Sequence, residues 1–117
     1  YFAKANEFFV SMQLEAEFEN WNTVGLCGVH CAISASDALL ARYAKLRNIS
    51  QSHYDVVQLI RNYVLNSESK AQAQRLEKII KTKNLVEYMG DPFTKKQALT
   101  VVQDVERYFS WVKKLMS

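Results

Sequence analysis

One segment constrains the fold more than any other: "VGLCGVHCAISASDALLARYAKL", Val24 to Leu46. It is apolar almost all round a helical wheel. A helix of that kind is stable in water only when other elements surround it, so the segment is read as the central helix of a bundle. Gly25, Gly28, Ala32 and Ala35 lie along one side of it. Glycine inside a helix costs roughly 0.5–1 kcal/mol relative to alanine, and two within one turn imply that another helix approaches closely there.

The rest of the chain agrees with an all-α fold. Only three glycines and one proline occur in 117 residues. All-β and doubly wound folds need more turn punctuation than that. A first helix reads from Tyr1 to Phe18, with Phe2, Ala5, Phe8, Phe9, Met12 and Ala16 at helical spacing. "ENWNT" interrupts it, and Asn22 is the expected cap of the second helix. A third helix reads from His53 to Leu65, opened by a capping box at Ser52 and Asp55. A fourth runs from Lys70 to Met89, with a box at Ser69 and Gln72 and Gly90 as its C′ residue. "DPF" is the sharpest turn signal. Thr94 and Gln97 form a third box, and the fifth helix runs from Lys95 to Met116. Its broad apolar face carries Ala98, Val101, Val102, Val105, Tyr108, Phe109, Val112 and Leu115. Short connections between long helices imply antiparallel neighbours. The expected architecture is an antiparallel up-and-down bundle of four to five helices, one domain over residues 1–117.

The net charge is +3, which permits contact with nucleic acid without demanding it. No apolar run approaches 18 residues, so no membrane span is expected. Residues 1–117 contain no signal-peptide pattern. The chain opens at Tyr1, which reads as a start residue or short leader lying upstream. Cys27 and Cys31 sit one helical turn apart, where a bridge would be strained. They are expected to be free thiols in a reducing cytoplasm. With His30 they lack a fourth ligand of matching type, so no metal site and no cofactor is expected.

Several polar residues fall on apolar faces. His30 and Asp37 share a stripe with Leu26, Ile33, Leu40 and Ala44. In "KTKNLVEYMG", Lys83 and Glu87 fall inside the stripe made by Leu76, Ile79, Ile80 and Val86, with Asn84 at its edge. On one reading each finds a partner within the bundle, as buried polar groups must. On the other, His30, Asp37, Lys83 and Glu87 form a polar cluster between the second and fourth helices. Lys70, Arg75, Lys78, Lys81, Lys95 and Lys96 read as a solvated face diluted by Glu68 and Glu77, with an RNA-facing stripe as the alternative. Tyr108, Phe109 and Trp111 are more aromatic surface than one small bundle easily buries, which points to a homodimer.

Five stretches carry a resemblance to a known family: "YFAKANEFF", "WNTVGLCGVHCAISASDALL", "SHYDVVQLI", "KNLVEY" and "ALTVVQDVERYFSWVKKL". Together they cover nearly the whole chain. The sequence resembles the HEPN superfamily, named for domains shared by higher eukaryotes and prokaryotes. These are small all-α bundles, often dimeric. Many are RNases of toxin–antitoxin, phage-defence and RNA-processing systems, and others are non-catalytic and bind nucleotides or RNA. The resemblance therefore implies a nucleotide or RNA ligand and a nucleotidyltransferase-type protein partner.

The family's RNase signature is an arginine, a polar residue, and a histidine after four to six intervening positions. In "KNLVEY" Lys83 stands for the arginine, Asn84 for the polar residue, and Tyr88 for the histidine with Glu87 beside it. Lysine keeps the charge but loses the bidentate fork. Tyrosine, with an ordinary pKa near 10, is a poor base at neutral pH. The stretch resembles a degenerate nuclease motif, and the implied function is a non-catalytic nucleotide- or RNA-binding accessory module. Its ligand-binding candidates are Lys83, Asn84, Glu87, Tyr88, His30 and Asp37. A second match, Arg47-Asn48 with His53, lies at the connection into the third helix. It reads as a surface arginine and a first-turn histidine. The alternative makes the chain a metal-independent RNase toxin, with His53 as base or acid and Arg47 stabilising the transition state. A third class is a protein-interaction domain with no ligand.

Overall fold

A computed structural model of the chain describes residues 2–43, 53–87 and 93–117. Five α-helices appear in order: α1 Phe2–Glu17, α2 Trp21–Tyr43, α3 His53–Tyr63, α4 Ser69–Glu87 and α5 Lys95–Met116. No strand occurs among the described residues. The fold is the expected all-α bundle, and one core draws residues from all five helices.

The α2 helix is central, and each of the other four packs against it. Its small side works as the sequence implies. A Cβ on Gly25 would lie 2.9 Å from both Val86 Cγ2 and Phe93 Cε1. One on Gly28 would lie 3.0 Å from Val101 Cγ1 and 3.2 Å from Val105 Cγ2. The glycines thus set the distance at which the end of α4 and the start of α5 approach α2.

These contacts also fix helix directions. Gly25 near Val86 places the end of α4 by the start of α2. Phe8 against His30 and Met12 against Gly28 make α1 and α2 antiparallel. Arg75 and Lys78 against Asp104 join α4 to α5, and with Trp111 and Lys114 beside Glu68 and Gln72 that pair is antiparallel too. Gly28 beside Val101, Ser36 beside Tyr108, and Arg42 bonded to the Met116 carbonyl show that α2 and α5 run in the same direction. Alternation is kept within the α1–α2 and α4–α5 pairs and shifts by one helix between them.

Several expected boundaries move. The α2 helix begins at Trp21, so Asn22 lies inside it and is no cap. The turn before it is a Schellman motif instead. Glu19 takes the left-handed conformation, φ 60°, its N–H donates to the Ala16 carbonyl, and the Asn20 N–H donates to the Glu15 carbonyl. The Thr94–Gln97 box forms in full, with both reciprocal bonds present. The Ser69–Gln72 box does not form. Ser69 is already helical, and its hydroxyl donates to the Val64 carbonyl at 2.5 Å, tying the end of α3 to the start of α4. The Ser52–Asp55 box, the Gly90 terminator and the "DPF" turn involve positions outside the described residues.

The aromatics of α5 are also placed differently from expectation. Tyr108, Phe109 and Trp111 are buried within the single chain. The Trp111 indole N–H donates to Asn66 Oδ1 at 3.1 Å, across from the α3–α4 turn. They are core residues and leave no surplus surface for a partner. Polar residues interrupt α2, yet by length and composition it is apolar enough to cross a membrane, with a mean hydropathy of 1.5 over its best window. Within this fold 67% of that window is buried inside the bundle, as suits a core helix.

Candidate functional site

The half-buried His30 stacks its ring on Phe8 of α1, with centroids 5.2 Å apart. Asp37, also half-buried, lies close enough to Tyr108 of α5 to disfavour its phenolate. These contacts lead from α2 to α1 and α5. Lys83 is half-buried on the last turns of α4, and Asn84 beside it is exposed. The wheel therefore places Lys83 correctly relative to Lys78, whose side chain is 66% exposed. The side chains of Glu87 and His53, and all of Arg47 and Tyr88, lie outside the described residues.

A different assembly emerges at the end of the bundle where α2 and α5 both begin. The first-turn amides of a helix have no intrahelical partners, so each N-terminus carries partial positive charge. Parallel packing puts two such ends side by side. Neither helix has an acidic residue in its first turn, and α5 opens with Lys95 and Lys96, where the macrodipole disfavours cations. The Lys95 ammonium sits 5.9 Å from the centre of the half-buried Trp21 ring. Beside Trp21 a groove of about 350 Å³ is lined by Glu19, Asn20, Asn22, Thr23 and Phe93. Val86 against Gly25 brings the last turns of α4, which carry Lys83 and Asn84, alongside the second turn of α2. Cations, an aromatic face and amide side chains thus share one end of the molecule.

The basic stripe of α4 is mostly engaged elsewhere. Arg75 and Lys78 each lie 3.6 Å from Asp104, a carboxylate only 12% exposed, and Lys81 lies 3.4 Å from Glu77. This matches a solvated, ion-paired face better than a stripe awaiting phosphates. Sequence reasoning misses Trp21 and Phe93 as site residues. The readable signal is the Lys95–Lys96 pair directly after the threonine of a capping box.

No family model, no curated protein and no solved structure matches this chain.

Proposed function

We propose that the chain is a HEPN-like, non-catalytic module that binds a nucleotide or single-stranded RNA. It serves as an accessory component of a toxin–antitoxin or defence system. The observation that carries this reading is the clustering of Lys95, Lys96 and Trp21 where two parallel helices start. Phosphate complements Lys95, Lys96 and two helix first turns that hold no acidic residue, and an aromatic face accepts any base. Lys83 and Asn84, the remnant of the family motif, lie on the adjoining turns of α4. The module acts in the cytoplasm, where Cys27 and Cys31 stay reduced. It works as a homodimer alongside a nucleotidyltransferase-type protein. Support for self-association comes from Val10, Leu14 and Phe18, exposed at four-residue spacing along α1 and its terminal turn.

Fluorescence anisotropy with a labelled oligoadenylate tests the reading. Lys95→Ala and Lys96→Ala should each lower the salt dependence of binding by about one unit of log–log slope. Trp21→Ala should weaken binding by about 1–3 kcal/mol at every salt concentration. Lys83→Ala should weaken binding and Lys78→Ala should not. Equal binding by the unsubstituted chain and every variant would reject the site.

A further inference from the structure

A second concavity lies along the seam between α4 and α5 and shares Phe93 with the groove beside Trp21. Leu85, Phe93 and Val101 give it an apolar lining, and Lys78 and Lys96 stand at its edge. We propose that this cleft binds a small amphipathic carboxylate, a single ring or short acyl chain bearing one negative charge. The proposal goes beyond the RNA-binding reading and does not depend on it.

Size limits the ligand first. The cleft holds about 250 Å³. Sites for drug-sized ligands run from about 300 to 1,000 Å³, so this one suits one ring rather than a nucleotide. Two walls are set in advance. Phe93 and Val101 are each only 6% exposed and are packed over Gly25 and Gly28 of α2. An apolar body entering here meets surfaces that need little rearrangement.

Polar chemistry then selects the head group. The Thr82 hydroxyl donates to the Lys78 carbonyl at 3.4 Å, and the Thr100 hydroxyl donates to the Lys96 carbonyl at 3.0 Å. Both hydroxyl protons are used within their own helices. Gln97 spends its side-chain oxygen on the Thr94 N–H at 2.8 Å, which leaves its amide nitrogen as a donor. The cleft thus offers the Gln97 amide as a donor, and two lysines, to a ligand's head group. Asp104 also borders it, but Arg75 and Lys78 both hold that carboxylate. Arg75, Lys78 and Lys96 outnumber Asp104 here, so the cleft carries a net positive charge that favours an anionic head group. Leu85, 40% exposed, adds apolar surface that a ligand's body can cover.

Amide-resolved NMR titration of the whole chain tests this with three probes of equal body: phenylpropionate, phenylpropanol and phenylpropylamine. Phenylpropionate should give saturable shifts centred on Thr82, Phe93 and Val101. The amine should bind about tenfold more weakly, having exchanged a surface attraction for a repulsion. Lys96→Ala should bring the carboxylate and the alcohol to similar affinity. Thr100→Trp, a change at an exposed position that closes the mouth, should abolish the shifts while the rest of the spectrum stays native. The proposal fails if phenylpropionate gives no saturable shifts, if they centre elsewhere, or if the amine binds as well as the acid. Thr100→Trp with unchanged binding would overturn it too. None of these probes carries a base or a phosphate, so failure here leaves RNA binding at Trp21 to its own test.

Discussion

The hydroxyls of Tyr108 and Ser36 meet at 2.6 Å in the middle of the bundle. Both residues are fully buried and lie 72 positions apart in the chain. The Ser36 hydroxyl donates to the Ala32 carbonyl at 2.8 Å, so the phenol proton goes to the serine oxygen. This bond joins the two parallel helices α2 and α5. Its two halves are unequal. Tyr108→Phe removes a donor and should cost about 0.5–1.5 kcal/mol. Ser36→Ala strands a buried O–H and should cost about 1–3 kcal/mol. The double variant should be less destabilised than the sum of the singles, and urea denaturation of all four proteins checks this.

The two glycines of α2 should respond differently to alanine. At Gly25 the new methyl meets Val86 and Phe93 at 2.9 Å, so something must move. At Gly28 the closest atoms are at 3.0 and 3.2 Å and belong to valine methyls. Overpacking costs typically about 1–3 kcal/mol, against a propensity gain of roughly 0.5–1 kcal/mol. Gly25→Ala should therefore lose stability measurably, and Gly28→Ala should lose less. Thermal melts of the two variants give the order directly.

Much of this packing is legible in the amino-acid sequence. The central helix, the glycine contacts and the Thr94–Gln97 box follow from side-chain size, periodicity and hydrogen-bonding capacity within a few neighbouring residues. What is not legible depends on a distant partner. Ser69–Gln72 spells the same box as Thr94–Gln97, but Val64 takes the serine hydroxyl, and that contact exists only once α3 and α4 are joined. Trp111 reads as spare surface because its acceptor, Asn66, is 45 residues away. The pairing of Asp104 with Arg75 and Lys78 is not legible, because those residues belong to another helix. At the candidate site Lys83 is legible from the wheel. Trp21 is not, because its meeting with Lys95 requires α2 and α5 to run in the same direction.

Glu19 holds a left-handed conformation that costs a side-chain-bearing residue roughly 1–2 kcal/mol. Its side chain is exposed. Glu19→Gly should stabilise the fold by about 1 kcal/mol, read as a higher urea midpoint at an unchanged slope.

Alkaline pH should weaken the protein. Burial raises the Cys31 thiol from its ordinary 9.0 to about 12, with Lys113 opposing and Cys27 adding to the rise. Burial also raises the Tyr108 phenol above its ordinary 10.0, with the Ser36 bond opposing and Asp37 adding. In both cases the folded chain keeps a proton that the unfolded chain releases first. Stability should be flat with respect to these groups below pH 9, then fall from 9 toward 12 as Cys31 titrates, more steeply once tyrosine ionises in the unfolded chain. Cys31→Ala should remove the part of the slope that begins near 9. Burial, and then Glu15, also raise the Cys27 thiol, but Cys27 is only half-buried. Iodoacetamide should modify Cys27 before Cys31, and peptide mapping over time would show the order.

The bundle is proposed to hold RNA without cutting it. One measurement addresses both halves of that claim: excess protein incubated with an end-labelled single-stranded RNA, read by anisotropy and then by denaturing gel. The expected result is saturable, salt-sensitive binding that Trp21→Ala weakens, with the RNA recovered intact. The claim is contradicted by the absence of binding at low salt, or by cleavage that disappears in Arg47→Ala or His53→Ala and survives Lys83→Ala.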